Sequence, residues 1–127
     1  MAFSDSALLN ARVTKIERPT RAGVGGKITG RATVFLAPAE GAYNALYEPR
    51  NDLVRAVDGR EVVRTGLLYV DRVLDPAEPF LDVRVGDLVA WTDFNTAAHA
   101  DAEVATAELC AFPGSSIDHW ELGFQGA

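Results

Sequence analysis

Hydrophobic and polar residues alternate with a period of two along several short segments of the chain. In residues 27–36 the even positions are apolar or small, whereas the odd positions are polar until Phe35. Residues 119–124 repeat the alternation, with three large apolar side chains on one side: Trp120, Leu122 and Phe124. Because successive side chains of a β-strand point to opposite faces, both segments are predicted to be half-buried strands.

Three further segments extend this strand-rich pattern. Residues 81–85 and 103–111 also alternate, and in the second of them Leu109 lies on the predicted apolar side, opposite Cys110. Residues 61–74 are apolar on both faces, which is typical of a central strand. By contrast, residues 94–102 are rich in alanine and predict one helical turn or a loop.

Turn signals separate these segments at short intervals. Asp58-Gly59 favours a hairpin, and Gly86-Asp87 favours a tight turn into the next strand. No long helical pattern intervenes. We therefore expect a mainly β protein, a small single-domain antiparallel β-barrel or sandwich over residues 1–127, with short helical turns and projecting loops.

Composition narrows the possible functions. The 127 residues carry a formal net charge of −6, which excludes a general phosphate-binding surface because non-specific affinity for nucleic acid comes from clustered cations. A single cysteine, Cys110, excludes an intrachain disulfide and a multi-thiolate metal site, and indicates a reducing cytoplasm. No apolar run reaches the roughly 18 residues that a membrane-spanning helix needs, so we expect no membrane partner.

One glycine-rich tract superficially resembles a phosphate-binding loop. Gly23, Gly25 and Gly26 are followed by Lys27. A phosphate loop, however, opens a helix whose N-terminus binds the anion, and here a strand pattern begins directly after the lysine. A hairpin between two strands is therefore the favoured interpretation.

Candidate catalytic and metal-binding residues are few. His119 and Glu121 fall on the same side of a predicted strand and could offer two metal ligands, with His99 or Cys110 as the soft candidates for a third. The favoured interpretation is a polar strand face exposed to water. Ser115-Ser116 lies near His119 but forms no nucleophile elbow. We accordingly expect no enzymatic activity, no catalytic residue, no cofactor and no metal, and we interpret Cys110 as a small core or interface residue.

The C-terminal half resembles a family of virion proteins. Residues 66–74, 83–91 and 104–124 are similar to small head-closure or head-to-tail joining proteins of tailed bacteriophages, which are called stopper or neck proteins. The family carries a Gly-Asp-x-Val turn, here Gly86 to Val89. It also ends in a strand with a His-Trp-Glu-Leu-like run, here His119 to Leu122.

This resemblance implies a structural role. Such proteins are β-barrels that form a homo-oligomeric, dodecameric ring below the portal and adaptor, accept the tail, and retain or pass packaged DNA without sequence-specific binding. The location would be the virion neck at the head–tail interface, after assembly in the host cytoplasm. An acidic ring would repel DNA phosphates from its channel. The candidate inter-subunit or gating residues lie in two loops: Arg21, Gly23, Gly25, Gly26, Lys27, Asp75, Pro76, Glu78 and Pro79.

Two alternatives remain open. The first is another virion connector, above all a tail terminator; an adaptor is disfavoured because adaptors tend to be helical. The second is a small β-barrel enzyme or metal-binding domain that uses His99, His119 and Glu121.

Overall fold

The structure, a computed structural model, describes residues 9–23, 26–38, 41–55, 59, 61–71, 82–93, 98–110 and 119–125. These residues contain seven strands and no helix, and therefore no helix that could span a membrane. The strands are β1 (Ala11–Arg21), β2 (Ile28–Leu36), β3 (Ala45–Arg55), β4 (Glu61–Asp71), β5 (Leu88–Asp93), β6 (Ala98–Cys110) and β7 (His119–Gln125).

Six of these strands close into an antiparallel β-barrel. Around the ring the order is β1, β3, β4, β7, β6 and β5, and β5 pairs again with β1. β2 lies outside the ring. It pairs with the C-terminal part of β1, along the same edge of β1 whose first residue, Ala11, pairs with β3. The barrel fold expected from the strand pattern is confirmed, with β4 a central strand between β3 and β7.

The barrel interior is filled by alternate residues of the six strands. The indole of Trp91 is buried in this interior and stacks on Phe124, with ring centroids 4.7 Å apart. β7 contributes Trp120, Leu122 and Phe124, the three residues that its alternation predicted to be buried. Further core residues come from the other strands: Val13, Ile16, Leu68, Val70, Val89 and Val104.

The ring closes at a seam between β1 and β3 that has very little backbone pairing. Only Ala11 and Ala45 face each other as strand partners. Two asparagine side chains extend the seam on either side. Asn10 accepts a hydrogen bond from the Tyr47 N–H at 2.7 Å and donates one to the Tyr47 carbonyl at 3.1 Å. Asn44 does the same with Val13, at 2.8 and 3.4 Å.

Two hairpins extend beyond the ring in opposite directions. β1 pairs with β5 only as far as Glu17, whereas its pairing with β2 continues to Arg21. Likewise β4 pairs with β7 only from Arg64 onward, so residues 61–63 pair with β3 alone. Since β1 and β3 are antiparallel where they meet, the β1–β2 hairpin projects from one end of the barrel and the β3–β4 hairpin from the other.

The strand predicted over residues 27–36 is present, and Val34 of its predicted apolar side packs against the core, but the predicted side is wrong at the C-terminal end of the strand. Phe35 is 6% exposed and enters the core, whereas Leu36 is 69% exposed. The cause is a bulge: Ile16 pairs with Phe35 and Glu17 with Thr33, which leaves an extra residue in β2. A bulge reverses the alternation of side chains along a strand, so the period-two pattern cannot reveal it.

Three other segments differ from expectation. Residues 98–102 belong to β6 and form neither a helical turn nor a loop; residues 94–97 lie outside the described part of the chain. The described part of the predicted strand 81–85 is irregular and leads into a turn at Gly86, although Val83 is buried. In β6 the side expected to be apolar does face the core, since Ala105 is 4% exposed and Ala107 packs against the core, but a bulge after Val104 breaks the alternation and buries that residue as well.

Replacement of Asn44 by alanine should destabilise the fold by about 2 kcal/mol, because two hydrogen bonds are lost and the Val13 N–H loses its acceptor. Urea denaturation monitored by tryptophan fluorescence measures the change. Thr33→Ala, at an exposed position of β2, is the control and should change the free energy of unfolding by less than about 0.5 kcal/mol. Equal stability of Asn44→Ala and the wild type would contradict a role for the amide in closing the barrel.

Candidate functional site

An ion pair between a half-buried arginine and a buried carboxylate anchors the base of the β1–β2 hairpin to the barrel. Asp87 is 1% exposed and accepts hydrogen bonds from Nε and Nη2 of Arg18, both at 3.0 Å. It also accepts one from the backbone N–H of Arg84 at 2.9 Å, which closes the turn at Gly86. Gly86 has a φ of +95°, a conformation that glycine adopts without strain. The hydrogen bond to Asp87 raises the pKa of Arg18, so this guanidinium stays charged.

A cavity of about 320 Å³ lies beside this ion pair and is rich in arginine. Its lining comes from the hairpin base and from the turn before β5: Arg18, Pro19, Arg21, Arg84, Val85, Gly86 and Asp87. All three arginines are paired with carboxylates. Besides the Arg18 pair, Arg21 contacts Glu103 at 3.4 Å and Arg84 contacts Asp82 at 2.8 Å. The cavity is therefore close to charge-neutral and is poorly suited to bind a phosphate.

The described residues of the glycine-rich tract, Gly23, Gly26 and Lys27, lie at the ends of the two strands of the same hairpin. The Ala22 N–H donates to the Lys27 carbonyl at 3.0 Å, and Arg21 Nη1 donates to the Gly26 carbonyl at 3.0 Å. Gly23 adopts a φ of +79°. The tract joins two strands, as predicted, and not a strand to a helix. The other candidate loop residues lie outside the described part of the chain: Gly25, Asp75, Pro76, Glu78 and Pro79.

His99 belongs to an aromatic cluster at the wall of the barrel. Its ring stacks on Trp91 with centroids 4.7 Å apart and planes 10° apart, and its Nε2 lies 3.0 Å from a carboxylate oxygen of Asp93. The ring of Tyr47 is 5.4 Å from both. Burial and the nearby Asp93 carboxylate raise the pKa of Tyr47. Stacking and the contact with Asp93 fix the His99 ring in this cluster.

The structure places Cys110, and not His99, next to His119 and Glu121. Cys110 ends β6 and faces His119, the first residue of β7, across the strand pair. Glu121 follows two positions along β7 and therefore shares the face of His119. The Cys110 thiol donates a hydrogen bond to Glu121 Oε2 at 2.7 Å, and His119 Nε2 lies 3.7 Å from the same oxygen. We refer to Cys110, His119 and Glu121 as the β6–β7 cluster.

The environment of Cys110 differs from the one expected of a small core residue. Its side chain is half-buried, and its hydrogen bond to Glu121, together with burial and the negative charges of Glu121 and Glu108, raises the pKa of the thiol to about 11. The sequence signal for the His119–Glu121 pair was the spacing of two within a strand. Nothing in the sequence signalled that Cys110 would join them, because that contact depends on the register between β6 and β7.

Comparison of the chain with protein-family models, with curated proteins and with solved structures finds no match. The resemblance to phage head-closure proteins therefore stays a prediction. The hairpins, the arginine-lined cavity and the β6–β7 cluster are the features from which a function can be inferred.

Arg18→Ala should lower the free energy of unfolding by about 2–4 kcal/mol, because the buried Asp87 carboxylate loses its partner. Arg84→Ala is the matched control: it removes the same side chain from an exposed pair with Asp82 and should cost less than about 1 kcal/mol. Chemical denaturation of both variants tests the difference. A similar decrease in the free energy of unfolding of both variants would show that burial of Asp87 does not make its ion pair with Arg18 more stabilising than an exposed pair.

Glu121→Gln should make Cys110 more reactive. The substitution removes the negative charge that holds the thiol protonated, so its pKa falls and the thiolate fraction rises by about tenfold for each pKa unit. The rate of alkylation by iodoacetamide near pH 8, followed by mass spectrometry, should increase about tenfold or more. Glu108→Gln is the control and should have a smaller effect, since Glu108 acts on the thiol only through its charge. An unchanged rate in Glu121→Gln would contradict this account.

Proposed function

We propose that this protein is a structural subunit of a tailed-phage neck, which assembles into a homo-oligomeric ring between the portal complex and the tail and helps to retain or pass DNA. The observation that carries the proposal is the projection of two hairpins from opposite ends of a small closed barrel. A subunit that must bind one assembly above it and another below it needs contact surfaces at both ends.

The β3–β4 hairpin supports this proposal because it exposes apolar side chains. Leu53 and Val63 are strand partners, and they are 63% and 49% exposed. Two large apolar residues side by side at the end of a projecting hairpin are typical of a surface that a partner covers. Because the pair lies outside the ring, it does not contribute to the barrel core.

The β1–β2 hairpin supports assembly in a different way. The outer edge of β2 has no strand partner among the residues that the structure describes. Residues 29–33 of this strand are exposed. An open strand edge can hydrogen-bond to a strand of a neighbouring subunit, which is a frequent route to ordered assemblies. The ion pair between Arg18 and Asp87 would hold the hairpin in a fixed direction for that contact.

The net charge also supports a channel-forming role. Each chain carries −6 at neutral pH, so a ring of copies concentrates negative charge around its axis. Such a ring repels the phosphates of a DNA duplex and lets the duplex pass without being held. On this proposal the partners are other copies of the chain, the portal or adaptor, and the tail.

The test is to mix the purified chain with isolated portal complexes and to measure mass by native mass spectrometry and shape by negative-stain electron microscopy. We expect a ring that binds the portal. Leu53→Glu should abolish binding or ring formation while the thermal unfolding midpoint stays unchanged, because the side chain is exposed. Ala98→Glu adds the same charge at an exposed site on β6, within the ring and outside the projecting parts of both hairpins, and should assemble normally. A chain that stays monomeric and never joins the particles would overturn the proposal.

Particles assembled without the chain distinguish head closure from tail termination. DNA-filled heads without tails would support the closure function proposed here. Overlong tails would assign the chain to tail termination instead.

A further inference from the structure

The β6–β7 cluster presents three different metal-ligating side chains on one face of the barrel wall. The thiol sulfur of Cys110, an imidazole nitrogen of His119 and a carboxylate oxygen of Glu121 all lie within 4.8 Å of one another. In the part of the chain that the structure describes, no other three side chains of these types bring their ligand atoms this close together. We propose that the cluster binds one divalent transition-metal ion, with Zn²⁺ as the ion that the ligands fit best.

The distance between the imidazole and the carboxylate is close to that of a tetrahedral site. With Zn–S near 2.3 Å and Zn–N and Zn–O near 2.1 Å, neighbouring ligand atoms in a tetrahedron are about 3.4–3.6 Å apart. His119 Nε2 and Glu121 Oε2 are 3.7 Å apart. Cys110 Sγ and Glu121 Oε2 are closer, at 2.7 Å, because the thiol donates a hydrogen bond to the carboxylate. Binding of the ion would replace the thiol proton and move the sulfur away from Oε2, and all three ligand atoms already lie within 4.8 Å of one another.

The donor set selects the class of metal. A thiolate together with an imidazole suits zinc and its neighbours in the first transition row, whereas calcium and magnesium prefer oxygen ligands alone. The site can hold a cation because its surroundings carry negative charge. Glu108 faces Glu121 across the strand pair, and its charge acts on Cys110 as well. A bound cation would therefore relieve repulsion between these two carboxylates.

The backbone holds the ligands in place. Cys110 and His119 are directly paired residues of adjacent strands, and Trp120 and Leu122 anchor β7 by pointing into the core on either side of Glu121. The side chains of His119 and Glu121 are 16% and 31% exposed, so an ion can enter from solvent and a water molecule can occupy the fourth position. Such an ion would cross-link β6 to β7.

The test is direct metal binding by the full chain. The purified protein is stripped with a chelator and titrated with ZnCl₂ in competition with a chromophoric chelator, and with CoCl₂ to follow the optical spectrum. We expect one Zn²⁺ per chain. With Co²⁺ we expect a thiolate-to-cobalt charge-transfer band and the intense visible bands of a four-coordinate site. Zn²⁺ should also raise the unfolding temperature, because binding stabilises the folded state.

Three variants separate this site from adventitious binding. Cys110→Ser and His119→Gln should each weaken Zn²⁺ binding by more than about 100-fold, beyond the 10–100-fold that loss of a merely supporting partner costs. Cys110→Ser should also abolish the charge-transfer band. His99→Gln is the matched control, since it removes the other imidazole of the chain, and should leave the affinity unchanged. Circular dichroism verifies that each variant is folded.

Two outcomes would overturn the proposal. The first is a wild-type chain that binds no stoichiometric Zn²⁺. The second is Zn²⁺ affinity that survives in folded Cys110→Ser and His119→Gln, or that disappears in folded His99→Gln. Neither outcome bears on ring assembly, because the cluster lies in the barrel wall, outside the parts of the two hairpins that project beyond the ring.

Discussion

Closure of the barrel at the β1–β3 seam is the constraint on which the other features depend. The carbonyls of the single alanine pair accept two backbone hydrogen bonds there, from the N–H groups of Asn10 and Asn44, and the side-chain amides of the same two asparagines supply the rest. An asparagine amide carries one donor and one acceptor group with nearly the geometry of a peptide unit, so it can stand in for a missing strand partner. The short seam leaves the remainder of that edge of β1 for β2. The projecting hairpin and the open strand edge thus exist because β3 leaves the seam so early.

The sequence predicted the fold class well, and the limits of the prediction have identifiable causes. Alternation located β7 and its three buried residues, since that strand is regular. It failed at the end of β2, where a bulge beside Phe35 shifts the side chains by one position, and in β6 it did not reveal the bulge that also buries Val104. It also failed at residues 98–102, because alanine and histidine carry no strong strand preference and the neighbouring β5 determines their conformation.

The functional features were harder to predict, because they arise from contacts between segments that are distant in sequence. Arg18 and Asp87 are 69 positions apart, and nothing local to either residue indicates the pair. The His119–Glu121 pair could be inferred from its spacing, whereas the approach of Cys110 required the register between β6 and β7. The distribution of charge also depends on these distant contacts. The arginines near the hairpin base are neutralised by carboxylates, whereas acidic side chains are in excess around Cys110. The two regions are therefore chemically distinct surfaces of one small barrel.

The order of strands around the ring also has a consequence for how the chain folds. β7, which comes after all the other strands in the sequence, lies between β4 and β6. During synthesis on the ribosome, the earlier strands can form only an open, curved sheet, whose two free margins are β4 and β6. Those margins are the places where an immature molecule can pair wrongly with another. Pairing of β7 with β4 and β6 is thus the step that closes this open sheet, and its rate sets how long the two margins stay available for incorrect pairing.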